Sequence, residues 1–113
     1  MRRDRKGLAI VGACAAIAVA AAQAAAADVK AGRQKALQCQ TCHGLDGQAK
    51  LPGAPHLAGQ DEDYLARTLK DYRSGARQNE MMSLVARNLK DDEIADLAAY
   101  YAAIPVTVGP PPK

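Results

Sequence analysis

The chain has 113 residues, with 15 basic and 12 acidic side chains, four tyrosines, no Phe and no Trp. The charge excess sits at the N-terminus: residues 1–27 hold four basic residues and one acid, so residues 28–113 carry 11 of each and no net charge. That balance gives no support for nucleic-acid binding, and the 86 residues from 28 onward allow one small domain whose own side chains make a thin core.

Residues 1–6, MRRDRK, are basic; residues 7–27 are apolar and uncharged and end in Ala25-Ala26-Ala27; Asp28 then opens a polar segment. A basic start, an apolar middle and small residues at the end mark a secretory signal peptide, expected to be removed after Ala27. Two other readings of this stretch exist. As an uncleaved anchor it is long enough to span a bilayer, but its alanine content makes it a weak span. As a lipoprotein leader it would use Cys14, but the apolar run ahead of Cys14 is short. The expected division is a signal peptide over 1–27 and one domain over 28–113, with a mobile tail from about residue 106.

Three segments read as helices. The first, over 29–38, leads straight into Cys39. The second, over 61–74, places Tyr64, Leu65, Leu69 and Tyr72 at helical spacing, with acids in its first turn and Gly75 after its end. The third, over 91–104, carries the stripe Ile94, Leu97, Tyr101 and Ile104 and stops at Pro105. Residues 44–60 hold four Gly and two Pro and read as a loop. Residues 76–90 are a second connection, in which SLVARNL suggests a short helical turn. No segment alternates as a strand would, so the expected class is all-α.

The stretch CQTCHG at 39–44 carries the chemistry. A disulfide between Cys39 and Cys42 would close a very short loop, and a thioredoxin-like dithiol belongs beside a βαβ pattern that is absent here. Zinc would need a fourth ligand, and the adjacent Cys42–His43 pair suits a tetrahedral site poorly. C-x-x-C-H is the attachment signature of a c-type haem. Two thiols at this spacing span the edge of a porphyrin as thioethers, and the histidine that follows falls beneath the iron. Export agrees, because such attachment takes place outside the cytoplasm. A haem would also supply the bulk that a chain without Phe or Trp lacks.

With GRQKALQCQTCHG, PHLAGQDEDYL, YRSGARQNEMM and LKDDEIADLAAYYA together, residues 30–106 resemble the small bacterial class I cytochromes c, both short monohaem forms and single halves of dihaem ones. The resemblance implies three main helices and loops wrapped around one covalently attached haem c. It implies His43 as one axial ligand and a methionine just before the last helix as the other. Counting back from Leu89 gives Met82, with Met81 the runner-up and His56 a third candidate. It implies that the Pro55 carbonyl accepts the Nδ1 hydrogen of His43, and that Gly32 lies where first and last helices cross, near Tyr100 or Tyr101. Arg77 and Lys50 are candidates for the haem propionates. Family members often cap the last helix with Ser or Thr; Lys90 stands there, so Asp91 is expected to cap instead.

The function implied is outer-sphere electron transfer by a periplasmic monomer, its iron cycling between ferric and ferrous, with redox proteins as partners and no enzymatic step of its own. The alternative is a haem c subunit of a periplasmic dehydrogenase. A third reading, a haem enzyme or gas sensor, requires a labile sixth ligand.

Overall fold

The computed structural model describes residues 25–113, so the signal peptide, anchor and lipoprotein readings fall, but for the last three residues of 1–27, outside the described residues. Five helices follow in order: α1 (Val29–Lys35), α2 (Gln40–His43), α3 (Glu62–Ser74), α4 (Glu80–Ala86) and α5 (Asp91–Ala102), with a 3-10 turn, Ala36–Gln38, between the first two. Among the described residues there is no strand.

Three of the helices, α1, α3 and α4, begin where a side chain accepts from free N–H groups. The Asp28 carboxylate accepts from the Lys30 and Ala31 N–H groups at 2.8 and 3.2 Å and opens α1. The stretch expected as one helix over 29–38 narrows to a 3-10 turn at Ala36 before the cysteines. Asp61 accepts from Tyr64 N–H at 2.8 Å, and Gly75 ends α3 in the left-handed region at φ +86°. Asn79 opens α4 by accepting from Met81 and Met82 N–H at 3.1 and 2.9 Å. This helix starts three residues before the SLVARNL turn expected from sequence.

The expectation for α5 needs correction. Lys90, not Asp91, is the N-cap residue, in extended conformation. Lysine has no acceptor, so Glu93 reaches back and accepts the Lys90 N–H at 2.9 Å, the reciprocal half of a capping box. The Asp91 carboxylate instead takes Arg73 at 2.6 Å. The other Arg73 nitrogen donates to the Leu89 carbonyl at 2.8 Å, which fixes the end of α3 against the start of α5. The helix expected to run to 104 ends at Ala102, because the residue before Pro105 avoids helical geometry.

α1 crosses α5, α3 packs on α5, and α4 packs on α3. At the first crossing a Cβ on Gly32 would stand 1.9 Å from the Asp96 carbonyl oxygen and 2.8 Å from Tyr100 Cβ, so only glycine permits this approach. Lys35 and Glu93 form an ion pair across the same interface. The core joins Ala36, Leu65, Ala86, Leu89, Ile94, Leu97, Ala98 and Tyr101. Ile94 is its largest fully buried side chain, while Leu51, Tyr64, Met81 and Leu84 stay 49, 39, 58 and 56 % exposed. The polypeptide alone therefore leaves large apolar side chains in water.

Candidate functional site

The C-x-x-C-H segment is itself a single helical turn. His43 N–H donates to the Cys39 carbonyl at 3.0 Å and Gly44 N–H to that of Gln40 at 2.9 Å. Positions i, i+3 and i+4 share one face of a helix, so Cys39, Cys42 and His43 are presented together. Both cysteines are half-buried free thiols. Burial pushes the Cys39 thiol up to about 11, against the opposing charge of Lys35. It is thus a neutral thiol at pH 7. Among the described residues no three His, Cys, Asp or Glu side chains converge as a metal cage.

His43 is only 6 % exposed, and its Nδ1 lies 2.9 Å from the carbonyl oxygen of Pro55. A carbonyl only accepts, so Nδ1 carries the hydrogen and Nε2 keeps the ring's free lone pair. The loop that brings Pro55 there is folded by its backbone. Lys50 N–H donates to the Cys42 carbonyl and Leu57 N–H to that of Gly47, each at 2.8 Å. Gly47, at φ +72°, lets this loop close: a Cβ there would meet the Ala58 nitrogen at 2.6 Å.

Two adjacent tyrosines of α5 hold the residues that follow His43, a feature sequence reading missed. Tyr100 donates to the Leu45 carbonyl at 2.6 Å and Tyr101 to that of Gly44 at 3.2 Å. Burial, first of all, raises the Tyr101 hydroxyl well above the ordinary phenol range, so it remains a donor. Nothing short of the tertiary fold links residues 55 positions apart; the Tyr-Tyr pair beside the family glycine was the only available signal.

The remaining candidates separate by exposure. Met82 is half-buried in the first turn of α4, whereas Met81 is 58 % exposed. His56 is exposed, and its Nδ1 accepts from Ala49 N–H at 2.8 Å. Lys50 pairs with Asp46 at 2.9 Å. Arg77 lies over the Tyr72 ring at 5.0 Å, and its hydrogen bond holds the Tyr64 hydroxyl below the ordinary range.

These residues fit a covalently held haem. Two free thiols and an oriented imidazole lie on one helical turn, in a fold whose core is small and whose apolar side chains are incompletely covered. Covalent attachment of a haem calls for two thiols and an imidazole nitrogen, none of which requires a cage of converging acids.

A family model for cytochrome c matches residues 29–103. The chain is 44 % identical over 85 residues to cytochrome c4 of Pseudomonas aeruginosa, covering 75 % of this chain and 42 % of that one. It is 43 % identical over 81 residues to cytochrome c-554(548) of Halomonas halodenitrificans, covering 69 % of this chain and 98 % of that one. A thiosulfate dehydrogenase electron acceptor of Stutzerimonas stutzeri is 44 % identical over 71 residues, covering 62 % of this chain and 33 % of that one. The crystal structure of reduced cytochrome c4 from Pseudomonas stutzeri superposes with a TM-score of 0.67 at 35 % identity, covering 74 % of this chain and 49 % of that one. The chain spans about half the length of the cytochromes c4 it matches. Its helices, their order and these matches place it in one group: the chain has the class I cytochrome c fold and belongs to the cytochrome c family.

Proposed function

We propose that the chain is a periplasmic electron carrier holding one haem c through thioethers at Cys39 and Cys42, with His43 and Met82 as axial ligands. The observation that carries this reading is the buried His43, its Nδ1 tied to Pro55 at 2.9 Å and flanked by two unpaired thiols. A bound haem supplies an iron that alternates between ferric and ferrous.

The protein's part is to hold and tune. Pro55 fixes the tautomer and ring orientation of His43 and makes its Nε2 a better donor. Tyr100 and Tyr101 keep the backbone after His43 in place. Met82 is favoured over Met81 because it is half-buried while Met81 faces solvent. His56 is disfavoured because its Nδ1 is engaged by its own loop and the ring lies outside the core. With His43 and Met82 both on the iron no coordination position would be open to substrate, and that ligand set would suit electron transfer rather than a haem enzyme or gas sensor.

A second reading is a haem subunit in a dehydrogenase assembly. The relative named as a thiosulfate dehydrogenase electron acceptor supports it. Both readings require a reversible one-electron couple and a ferrous form that does not take up carbon monoxide at neutral pH. Rapid carbon monoxide binding by the native protein would instead favour the enzyme or sensor. Gel filtration of the native protein then separates the two: a free monomer supports the carrier, and a persistent complex supports the subunit.

A further inference from the structure

The backbone N–H of Asp28 donates to Asp96 Oδ1 at 2.7 Å, across 68 positions of sequence. Asp28 directly follows Ala25-Ala26-Ala27, and its own carboxylate caps α1. Asp96 is half-buried on α5, and its carbonyl oxygen is the atom against which Gly32 packs. The contact therefore lies at the crossing of α1 and α5. With Ala27 attached, the donor is a neutral peptide amide.

We propose that processing between Ala27 and Asp28 turns this hydrogen bond into an ammonium–carboxylate pair that fastens α1 to α5, and that Asp28 is the mature N-terminus. The inference rests on the export reading. In the step, a signal peptidase adds one water across the Ala27–Asp28 peptide bond. Ala27 departs with the new carboxylate, and the Asp28 nitrogen becomes an amine that takes up a proton at neutral pH. A neutral hydrogen bond thereby becomes charge-assisted, roughly twice as strong.

The pair also answers an electrostatic difficulty. A positive charge at a helix N-terminus opposes the helix dipole. Here the Asp28 and Asp96 carboxylates both stand at that end, so the new ammonium is matched. Register matters as well. Cleavage one residue earlier moves the ammonium by about 3.8 Å and leaves Asp96 facing an amide. Cleavage one residue later removes the Asp28 cap that opens α1.

The test uses exported, haem-loaded protein, as wild type and as Asp96→Asn, which keeps the side-chain shape; Asp96→Ser is the second variant, with the same expectation. Intact mass gives the N-terminus. Competition labelling with an amine-selective anhydride near pH 7, scaled to the lysine amines, gives the reactivity of the Asp28 amine. The expected result is a chain beginning at Asp28 whose α-amine labels roughly three- to tenfold more slowly in wild type than in the variants. Equal rates on a chain beginning at Asp28 overturn the ion pair and leave the export reading standing. A processed chain that begins at another residue overturns the assignment of the mature N-terminus. A chain that still carries Met1 overturns the cleavage, and the ion pair with it, and moves the reading of residues 1–27 to an uncleaved anchor.

Discussion

The Tyr101 hydroxyl donates to the carbonyl oxygen of Gly44 at 3.2 Å, joining the last helix to the residue immediately after His43. Tyr101 is buried, and without its hydroxyl that carbonyl keeps only the Gly47 N–H, at 3.2 Å. Tyr101→Phe is expected to cost about 0.5–1.5 kcal/mol in chemical denaturation of the haem-loaded protein. The pH dependence has a definite sign. Burial raises the folded-state pKa of Tyr101, so its contribution is complete below the ordinary phenol range and is lost as pH rises beyond it. Wild type should therefore destabilise above about pH 10, and Tyr101→Phe should flatten that limb.

Gly32→Ala tests the helix crossing. The added Cβ would stand 1.9 Å from backbone, which cannot swing aside as a side chain could. The loss is expected at about 3 kcal/mol or more, read as a lower denaturation midpoint. Gly53→Ala is the contrast: φ is +84° but no atom lies within 4 Å of the new Cβ, so about 1 kcal/mol of backbone strain is the whole cost.

Much of this fold was legible in the chain because apolar spacing and end signals agreed over α3 and α5. The shorter helices were harder to see. α4 has seven residues, too few for periodicity to declare itself, and its one local mark was Asn79 followed by Glu80. The N-cap of α5 was misread because a weak capping residue, Lys90, is rescued by Glu93 three positions later. Within the site, C-x-x-C-H was readable from spacing alone, since one turn of helix presents all three side chains. The Pro55 contact was implied only by family resemblance, and the tyrosine contacts to Gly44 and Leu45 were not implied at all. Both depend on how a glycine-rich loop closes, which is decided by tertiary contacts.

Acid sensitivity follows from Glu93. Lys35 first, and then the Lys90 N–H, hold its carboxyl below the ordinary range. A depressed folded-state pKa contributes stability above the unfolded value and loses it as pH falls through the folded one. Glu93→Gln should leave the neutral-pH midpoint slightly lowered and make stability less dependent on pH below about 4.5, as followed by circular dichroism across an acid titration.

The side-by-side methionines allow a direct contrast. Met82→Ala should abolish the far-red sulfur-to-iron charge-transfer band of the ferric protein, open the ferrous form to carbon monoxide and lower the reduction potential. Met81→Ala should keep the band and change stability by about 0.5 kcal/mol or less, because that side chain is largely in solvent. The reverse pattern would move the ligand to Met81. A band that persists in both variants would mean that either methionine can serve, and a wild type that lacks the band would direct the search to His56.

Covalent haem on Cys39 and Cys42 is tested by acid–acetone extraction of the native protein followed by intact mass spectrometry. The haem is expected to stay with the chain, the mass to equal the processed polypeptide plus one haem, and neither thiol to react with an alkylating reagent. Haem recovered wholly in the acetone phase, with Cys39 and Cys42 both alkylated, would contradict it.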